Sequence, residues 1–215
     1  MHKKIQFLAI LPIPLLSLFN QEPALDNTLL AQKELSMENR YADLFVNRVF
    51  KDNILLNLAY LRGSVKSKED INWEEIQKPF TYEFRLDPNQ TFAFHEDVLP
   101  NYESTLVKHT SAHFNSSEGF KFSGALFGDG VCHLASLIYW AAKEANLETE
   151  APTNHDFMVI PDIPREYGVS IYNNPGAKEA NTRQNLYIKN NRAKPISFKF
   201  EYQDNKVKVS ILELN

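Results

Sequence analysis

The feature that most constrains the fold is an alanine-rich helical pattern that begins directly after two glycines. Gly128-Asp129-Gly130 is a turn-forming segment, and residues 131–146 then repeat apolar side chains at helical spacing. The residues that share this face are Leu134, Leu137, Ile138, Ala141, Ala142 and Ala145. The alanines also favour helix directly. The sequence therefore predicts a helix over 131–146, with Cys132 and His133 in its first turn.

Strand patterns follow this helix, and helical patterns precede it. The C-terminus has three strand candidates separated by turn-forming residues: Gln184–Lys189, Ile196–Tyr202 and Lys206–Leu214. Shorter strand candidates are Phe80–Leu86, Thr91–Phe94, His155–Ile160 and Val169–Tyr172. Helices are predicted over Asn27–Lys51 and Asn53–Leu61. The expected fold class is α+β, with N-terminal helices, a central helix at Cys132 and a C-terminal antiparallel sheet.

The N-terminus has the pattern of an export signal. Met1 to Lys4 carry positive charge, and residues 5–19 form an uncharged, mostly apolar run. This run is short for a transmembrane helix, which needs about 20 apolar residues. We expect residues 1–20 to be a signal peptide or membrane anchor, 21–51 a linker and helical extension, and 52–215 the main domain. The expected location is extracytoplasmic, with membrane attachment through 5–19 as the alternative to cleavage.

The overall composition excludes several function classes. The net charge is −4, which argues against a nucleic-acid partner. One cysteine excludes an intramolecular disulfide. His109 and His113 are four residues apart, but no third ligand accompanies them, so no metal site is expected. No Gly-Lys-Ser/Thr phosphate loop occurs, and no cofactor is expected.

Cys132 is the residue most able to carry chemistry. Unpaired N–H groups and the dipole at a helix start favour a thiolate, so its pKa is expected to be lowered. Gly128 and Gly130 would let the chain approach a substrate closely. His155 is the first candidate for the base that a thiol nucleophile needs, and His133 the second. The competing interpretation is that Cys132 is a small, inert core residue.

A longer stretch of sequence resembles the VanW family. Residues 128–139 are similar to its signature of glycines, an aliphatic residue, a cysteine and a helix. Residues 86–94, 146–148 and 186–191 resemble further family segments in the same order, so that the similarity runs from about Asp52 to the C-terminus. The chain departs from the pattern at Asp129, which replaces a glycine, and at Thr153, which replaces the first of two histidines.

The resemblance implies a cell-envelope protein of a family named for its occurrence with glycopeptide-antibiotic resistance. A weaker similarity to transglutaminase-like enzymes implies Cys-His-Asp/Asn acyl transfer or amide hydrolysis. On that hypothesis Cys132 is the nucleophile and His155 the base, and Gly128, Asp129, Gly130 and His133 bind substrate. The candidates for the third member are Glu179, Asn185, Asp156 and Asp162.

Two functions are therefore expected as alternatives. The first is cysteine-dependent acyl transfer or hydrolysis on an amide of a cell-wall peptide or envelope protein. The second is a non-catalytic envelope binding or scaffold domain with a structural cysteine.

Overall fold

The structure is a computed structural model that describes residues 27–38, 40–124 and 128–215. The predicted signal or anchor over residues 1–20, with its apolar run at 5–19, lies outside the described residues. None of the described helices is both long enough and apolar enough to cross a bilayer.

Eight strands and five α-helices make up the described part of the chain. The strands are β1 (Thr28–Ser36), β2 (Phe80–Leu86), β3 (Thr91–Ala93), β4 (Leu106–Lys108), β5 (Glu148–Glu150), β6 (Tyr187–Lys189), β7 (Ile196–Gln203) and β8 (Lys206–Glu213). The helices are α1 (Leu44–Leu61), α2 (Trp73–Ile76), α3 (Pro100–Glu103), α4 (Val131–Glu144) and α5 (Lys178–Arg183). Three short 3₁₀ turns lie at 68–70, 116–118 and 165–167.

The strands form two four-stranded sheets. The larger sheet has the order β1-β8-β7-β2 and is antiparallel throughout. The smaller has the order β4-β3-β6-β5, and only its β3-β4 pair is parallel. Helix α4 packs on β1 and β8, and α1 packs on α4. The α+β class and the C-terminal antiparallel sheet are therefore confirmed.

The apolar face of α4 is the centre of the core. Leu134, Leu137, Ile138, Ala141 and Ala142 are all buried, as the helical spacing predicts. Complete burial of a side chain the size of leucine stabilises a fold by roughly 1.5–3 kcal/mol. This packing fixes the start of α4, where Cys132 lies, against the large sheet.

The predicted helix over Asn27–Lys51 is wrong in its first part. Residues 28–36 form the edge strand β1, in which Ala31 pairs with Ile211 and Leu35 with Val207 of β8. Both Ala31 and Leu35 are buried, at a spacing of four that suits a strand face as well as a helix face. Pairing with a strand from the other end of the chain decides between the two.

The N-terminal boundary of α1 is set by a side-chain cap. The Asp43 carboxylate accepts hydrogen bonds from the backbone N–H groups of Phe45 (2.7 Å) and Val46 (3.2 Å). The helix then continues to Leu61 and includes the predicted helix over Asn53–Leu61. The first described element is thus a strand, and a long helix follows it.

Two further predicted strands are not formed. Residues 155–160 are irregular, and segment 169–172 has one isolated bridge, between Val169 and Asn154. Backbone bonds from His155 N–H to the Gly168 carbonyl and from Ser170 N–H to the Thr153 carbonyl join the two segments. The N–H groups of Val169 and Ile171 bond instead to side chains of α4. These two segments form one wall of the candidate site.

Candidate functional site

A cavity of about 660 Å³ opens beside the first turn of α4. Cys132, His133 and His155 all line it, together with residues from the start of α1, the loop before α4 and segment 171–175. The structure therefore brings the predicted cysteine and both predicted histidines to one cleft. A volume of this size is typical of a site for a small ligand.

The two glycines before Cys132 are required by packing of the protein itself. Gly128 and Gly130 have φ angles of 81° and 106°, in the left-handed region. A Cβ on Gly128 would lie 2.8 Å from Phe114 Cβ, and one on Gly130 would lie 2.8 Å from the Phe50 carbonyl oxygen. The space freed by the missing side chains is thus filled by Phe114 and Phe50.

Asp129, between these glycines, holds the loop that precedes the helix. Its carboxylate accepts hydrogen bonds from the backbone N–H (3.1 Å) and the hydroxyl (2.5 Å) of Ser123. The Asn53 side-chain amide of α1 donates to the Asp129 carbonyl oxygen at 2.9 Å. Asp129 lines the cavity, but these bonds give it an evident structural role.

The Cys132 thiol is tied to the backbone of Ile171. The Ile171 N–H donates to Cys132 Sγ at 3.4 Å, and the Cys132 S–H donates to the Ile171 carbonyl oxygen at 3.5 Å. Burial raises the pKa of the Cys132 thiol to about 11, although the Ile171 N–H acts in the opposite direction. The expectation that the helix start lowers this pKa is therefore wrong, and the thiol is protonated near neutral pH.

One turn further along α4, Ser136 makes an equivalent contact. The Val169 N–H donates to Ser136 Oγ at 2.8 Å, and both residues are fully buried. Two side chains four residues apart on a helix are separated by about 6 Å along its axis. Two residues of an extended chain cover nearly the same distance, so the two helix side chains match every second N–H of that chain. Cys132 and Ser136 thus form a row that accepts alternate N–H groups of segment 169–171, in place of a neighbouring strand.

His155 is oriented by a backbone carbonyl. Its Nδ1 lies 3.0 Å from the Met158 carbonyl oxygen, which can only accept, so Nδ1 carries the proton. The Nε2 atom is then the nitrogen with a free lone pair. Burial lowers the pKa of His155, so the ring is neutral at pH 7. A backbone carbonyl therefore fixes the tautomer and orientation of the ring, as a triad carboxylate would, but it provides no negative charge to stabilise a protonated imidazole.

His133 has the opposite tautomer because a buried arginine donates to it. Arg40 Nε donates to His133 Nδ1 at 3.1 Å, so the His133 proton is on Nε2. Burial, and then the charge of Arg40, lower the pKa of His133 well below its ordinary value. The rings of His133 and His155 are nearly perpendicular, with centroids 6.3 Å apart. The imidazoles of His133 and His155 are thus both neutral, whereas the pKa of His113, which also lines the cavity, is raised, despite its burial, by Glu96 and Glu118.

Arg40 joins three parts of the chain at the back of the site. Besides His133, its guanidinium donates to the carbonyl oxygens of Ser36 (2.6 Å) and Pro161 (2.7 Å) and lies 3.4 Å from the Asp162 carboxylate. The Arg40 side chain is buried, and burial lowers its pKa. Sequence reasoning missed this residue, since nothing in its local pattern marks it as buried.

The four candidates for a third triad member lie elsewhere. Asp162 pairs with Arg40, and Asp156 lies 4.0 Å from Arg165. Asn185 is fully buried and bonds to the backbone of His95 and Asp97, and Glu179 is exposed on α5. None of the four lines the described wall of the cavity. The structure therefore does not bring any of these four predicted third members to the cavity wall that Cys132 and His155 share.

The two histidines weighed as metal ligands are separated by the chain conformation. Segment 109–113 is not helical, so their spacing does not place them on one face. His113 bridges Glu118 (2.7 Å) and Glu96 (2.9 Å), whereas His109 Nδ1 accepts from the Ser111 N–H. No group of three or more His, Cys, Asp or Glu side chains suited to a metal ion is found over 27–38, 40–124 and 128–215.

Comparison with known proteins gives one match. A family model described as VanW-like protein matches residues 82–212, which is more than half of the chain. The matched range contains α4 with Cys132 and His133, His155 and both segments opposite them. No curated protein and no solved structure matches.

Proposed function

Since this chain belongs to the VanW-like family, we propose that it is a cell-envelope domain that binds a ligand in the cavity beside α4, with Cys132 as a structural thiol. The contact between Cys132 and Ile171 carries this proposal. A nucleophilic cysteine needs a thiolate and a base. Here the thiol accepts from the N–H and donates to the carbonyl oxygen of the same residue, Ile171, and its pKa is raised to about 11.

The surroundings of the two histidines support the same conclusion. Both rings are neutral, and each uses its Nδ1 atom to bind a group of the protein. A largely apolar cleft of about 660 Å³ with a few polar groups in its wall is typical of a binding site. Family membership suggests the envelope, and the predicted signal peptide or membrane anchor over residues 1–20 agrees with that location.

The test is the pH dependence of Cys132 alkylation by iodoacetamide. Cys132 is the only cysteine, so all labelling reports on it, and Cys132→Ser is the blank. We expect slow labelling of the native protein up to pH 8, an increase only at strongly alkaline pH or on unfolding in urea, and no change in His155→Ala. Fast labelling below pH 7 that is lost in His155→Ala would overturn the proposal.

One observation favours thiol-dependent acyl transfer as the second candidate. His155 Nε2 has a free lone pair and lines the same cavity as Cys132. In this reaction Nε2 takes the thiol proton and the thiolate attacks an amide carbonyl. The amine then leaves with the proton, and the acyl group passes from sulfur to water or another amine. A cell-wall peptide or an envelope protein would supply the amide.

Mass spectrometry separates the second candidate from the first. Incubation with a synthetic cell-wall peptide would give an acyl adduct on Cys132, absent in Cys132→Ser, if acyl transfer occurs. We expect no adduct, because burial raises the pKa of the Cys132 thiol to about 11 and so opposes thiolate formation.

A further inference from the structure

Most polar side chains in the cavity wall already bind other groups of the protein. Cys132 binds Ile171, and Asp129 binds Ser123. His113 bridges two glutamates, and the Asn115 amide oxygen accepts from the N–H groups of residues 117 and 118. The polar atoms left free for a ligand include the Nε2 atoms of His133, a donor, and His155, an acceptor. A polar ligand would lose its bonds to water at a cost of roughly 1–3 kcal/mol for each unpaired group.

The wall also lacks an uncommitted group that would attract an anion. Among its described residues there is no lysine and no arginine. His113 lines the wall and its pKa is raised, but Glu96 and Glu118 already pair with its ring, so a free carboxylate or a phosphate would compete with them for it. The wall instead includes Phe50, Val131 and Ile171, which offer dispersion contacts to an apolar chain.

The mouth of the cavity exposes a continuous apolar run. Phe157, Met158 and Val159 are 71%, 51% and 73% exposed, and the first two line the cavity. The loop that carries them is anchored by the bond from His155 to the Met158 carbonyl and by Tyr41, whose hydroxyl donates to Met158 Sδ at 3.2 Å. Three consecutive exposed apolar residues on an anchored loop indicate a surface that contacts an apolar partner.

From these observations we infer that the cavity binds the uncharged alkyl chain of a lipid-like amphiphile, whose polar end stays at the mouth beside Phe157 and Met158. The chain enters between this loop and the first turn of α4. A peptide is disfavoured because its backbone N–H and C=O groups would be left largely unpaired in this wall. This inference rests on the proposed binding function and specifies its ligand class.

The test uses the full chain and the uncharged fluorescent probe N-phenyl-1-naphthylamine. We expect saturable fluorescence enhancement, displacement by 1-dodecanol, and no displacement by the peptide acetyl-Lys-D-Ala-D-Ala at the same concentration. Phe157→Ser should raise the probe Kd about tenfold, since the loss of most of an aromatic contact corresponds to about 1.4 kcal/mol. Val107→Ser is the matched control, because Val107 is 48% exposed on β4 and does not line the cavity.

The results separate the inference from the proposal it rests on. Three results would each overturn the alkyl-chain assignment. They are displacement of the probe by the peptide but not by dodecanol, an equal probe Kd in Phe157→Ser and Val107→Ser, and no saturable binding of the probe. None of these would alter the alkylation profile of Cys132, which tests the structural thiol. Conversely, fast alkylation below pH 7 would overturn the structural thiol while probe binding remained intact.

Discussion

Replacement of Ser136 by alanine tests the row of side chains that holds segment 169–171 against α4. The variant removes the acceptor of the Val169 N–H, which donates to Ser136 Oγ at 2.8 Å where both residues are fully buried. Water cannot readily replace this acceptor. A buried donor left without a partner costs about 1–3 kcal/mol, so we expect Ser136→Ala to lose about 2 kcal/mol of unfolding free energy.

The same row predicts that substitutions of Cys132 lower the stability less than Ser136→Ala does. Cys132→Ala removes a longer and weaker sulfur contact, so we expect a loss of about 0.5–1 kcal/mol. Cys132→Ser keeps an acceptor and a donor in place, and its stability should stay within about 0.5 kcal/mol of the unsubstituted protein. Ser170→Ala is the matched control, because the Ser170 hydroxyl bonds at 2.8 Å to the Gln184 side chain and holds no backbone N–H.

Urea unfolding followed by tryptophan fluorescence gives these differences. For a chain of this size, each 1 kcal/mol also lowers Tm by about 2–4 °C. Amide hydrogen exchange should show faster exchange of the Val169 N–H in Ser136→Ala than in Ser170→Ala. A loss below about 0.5 kcal/mol in Ser136→Ala, or a larger loss in Cys132→Ala than in Ser136→Ala, would refute the structural role of the row.

Three further substitutions have defined outcomes. Arg40→Ala should lower the unfolding free energy measured in urea by about 3 kcal/mol, because it leaves His133 Nδ1 and two backbone carbonyls without their donor. A loss below about 1 kcal/mol would contradict this. Asn57→Leu should raise the unfolding free energy by about 1 kcal/mol, because the fully buried Asn57 amide has no hydrogen-bond partner among the described residues. A loss of stability in this variant would show that the amide is bound. Burial lowers the pKa of His95 from 6.5 to about 4. The neutral ring therefore contributes about 3 kcal/mol to the unfolding free energy above pH 6.5, and this contribution is lost as the pH falls towards 4. In His95→Asn the unfolding free energy, measured in urea at each pH, should depend less steeply on pH between these values.

The elements that the sequence predicts correctly are those with a local signal. The glycines at 128 and 130 and the apolar face after them define α4, and the alternation over 196–203 and 206–213 defines β7 and β8. In each case the pattern and the tertiary partner favour the same structure. Residues 28–36 differ, because their apolar spacing fits a helix or a strand. The choice depends on β8, a partner more than 170 residues away in sequence.

The site shows the same division between local and distant causes. The sequence identified Cys132, His133 and His155, which line one cavity, because their residue types and positions are visible locally. It did not identify Arg40, whose bond to His133 joins residues 93 apart, or the contact between Cys132 and Ile171, which are 39 apart. The bond from Arg40 determines the tautomer of His133, whereas burial, and not the bond to Ile171, keeps the Cys132 thiol protonated.

The state of Cys132 follows from the relative size of two opposing effects. A helix start favours an adjacent anion by about 0.3–1 kcal/mol, and by up to about 2 kcal/mol in buried geometries. The raised pKa of Cys132, from 9.0 to about 11, corresponds to about 3 kcal/mol against the thiolate even after the helpful Ile171 N–H is included. Desolvation therefore outweighs the helix start. An apolar ligand in the cavity would exclude more water and strengthen this effect, so the alkyl-chain inference and a protonated, structural Cys132 support each other.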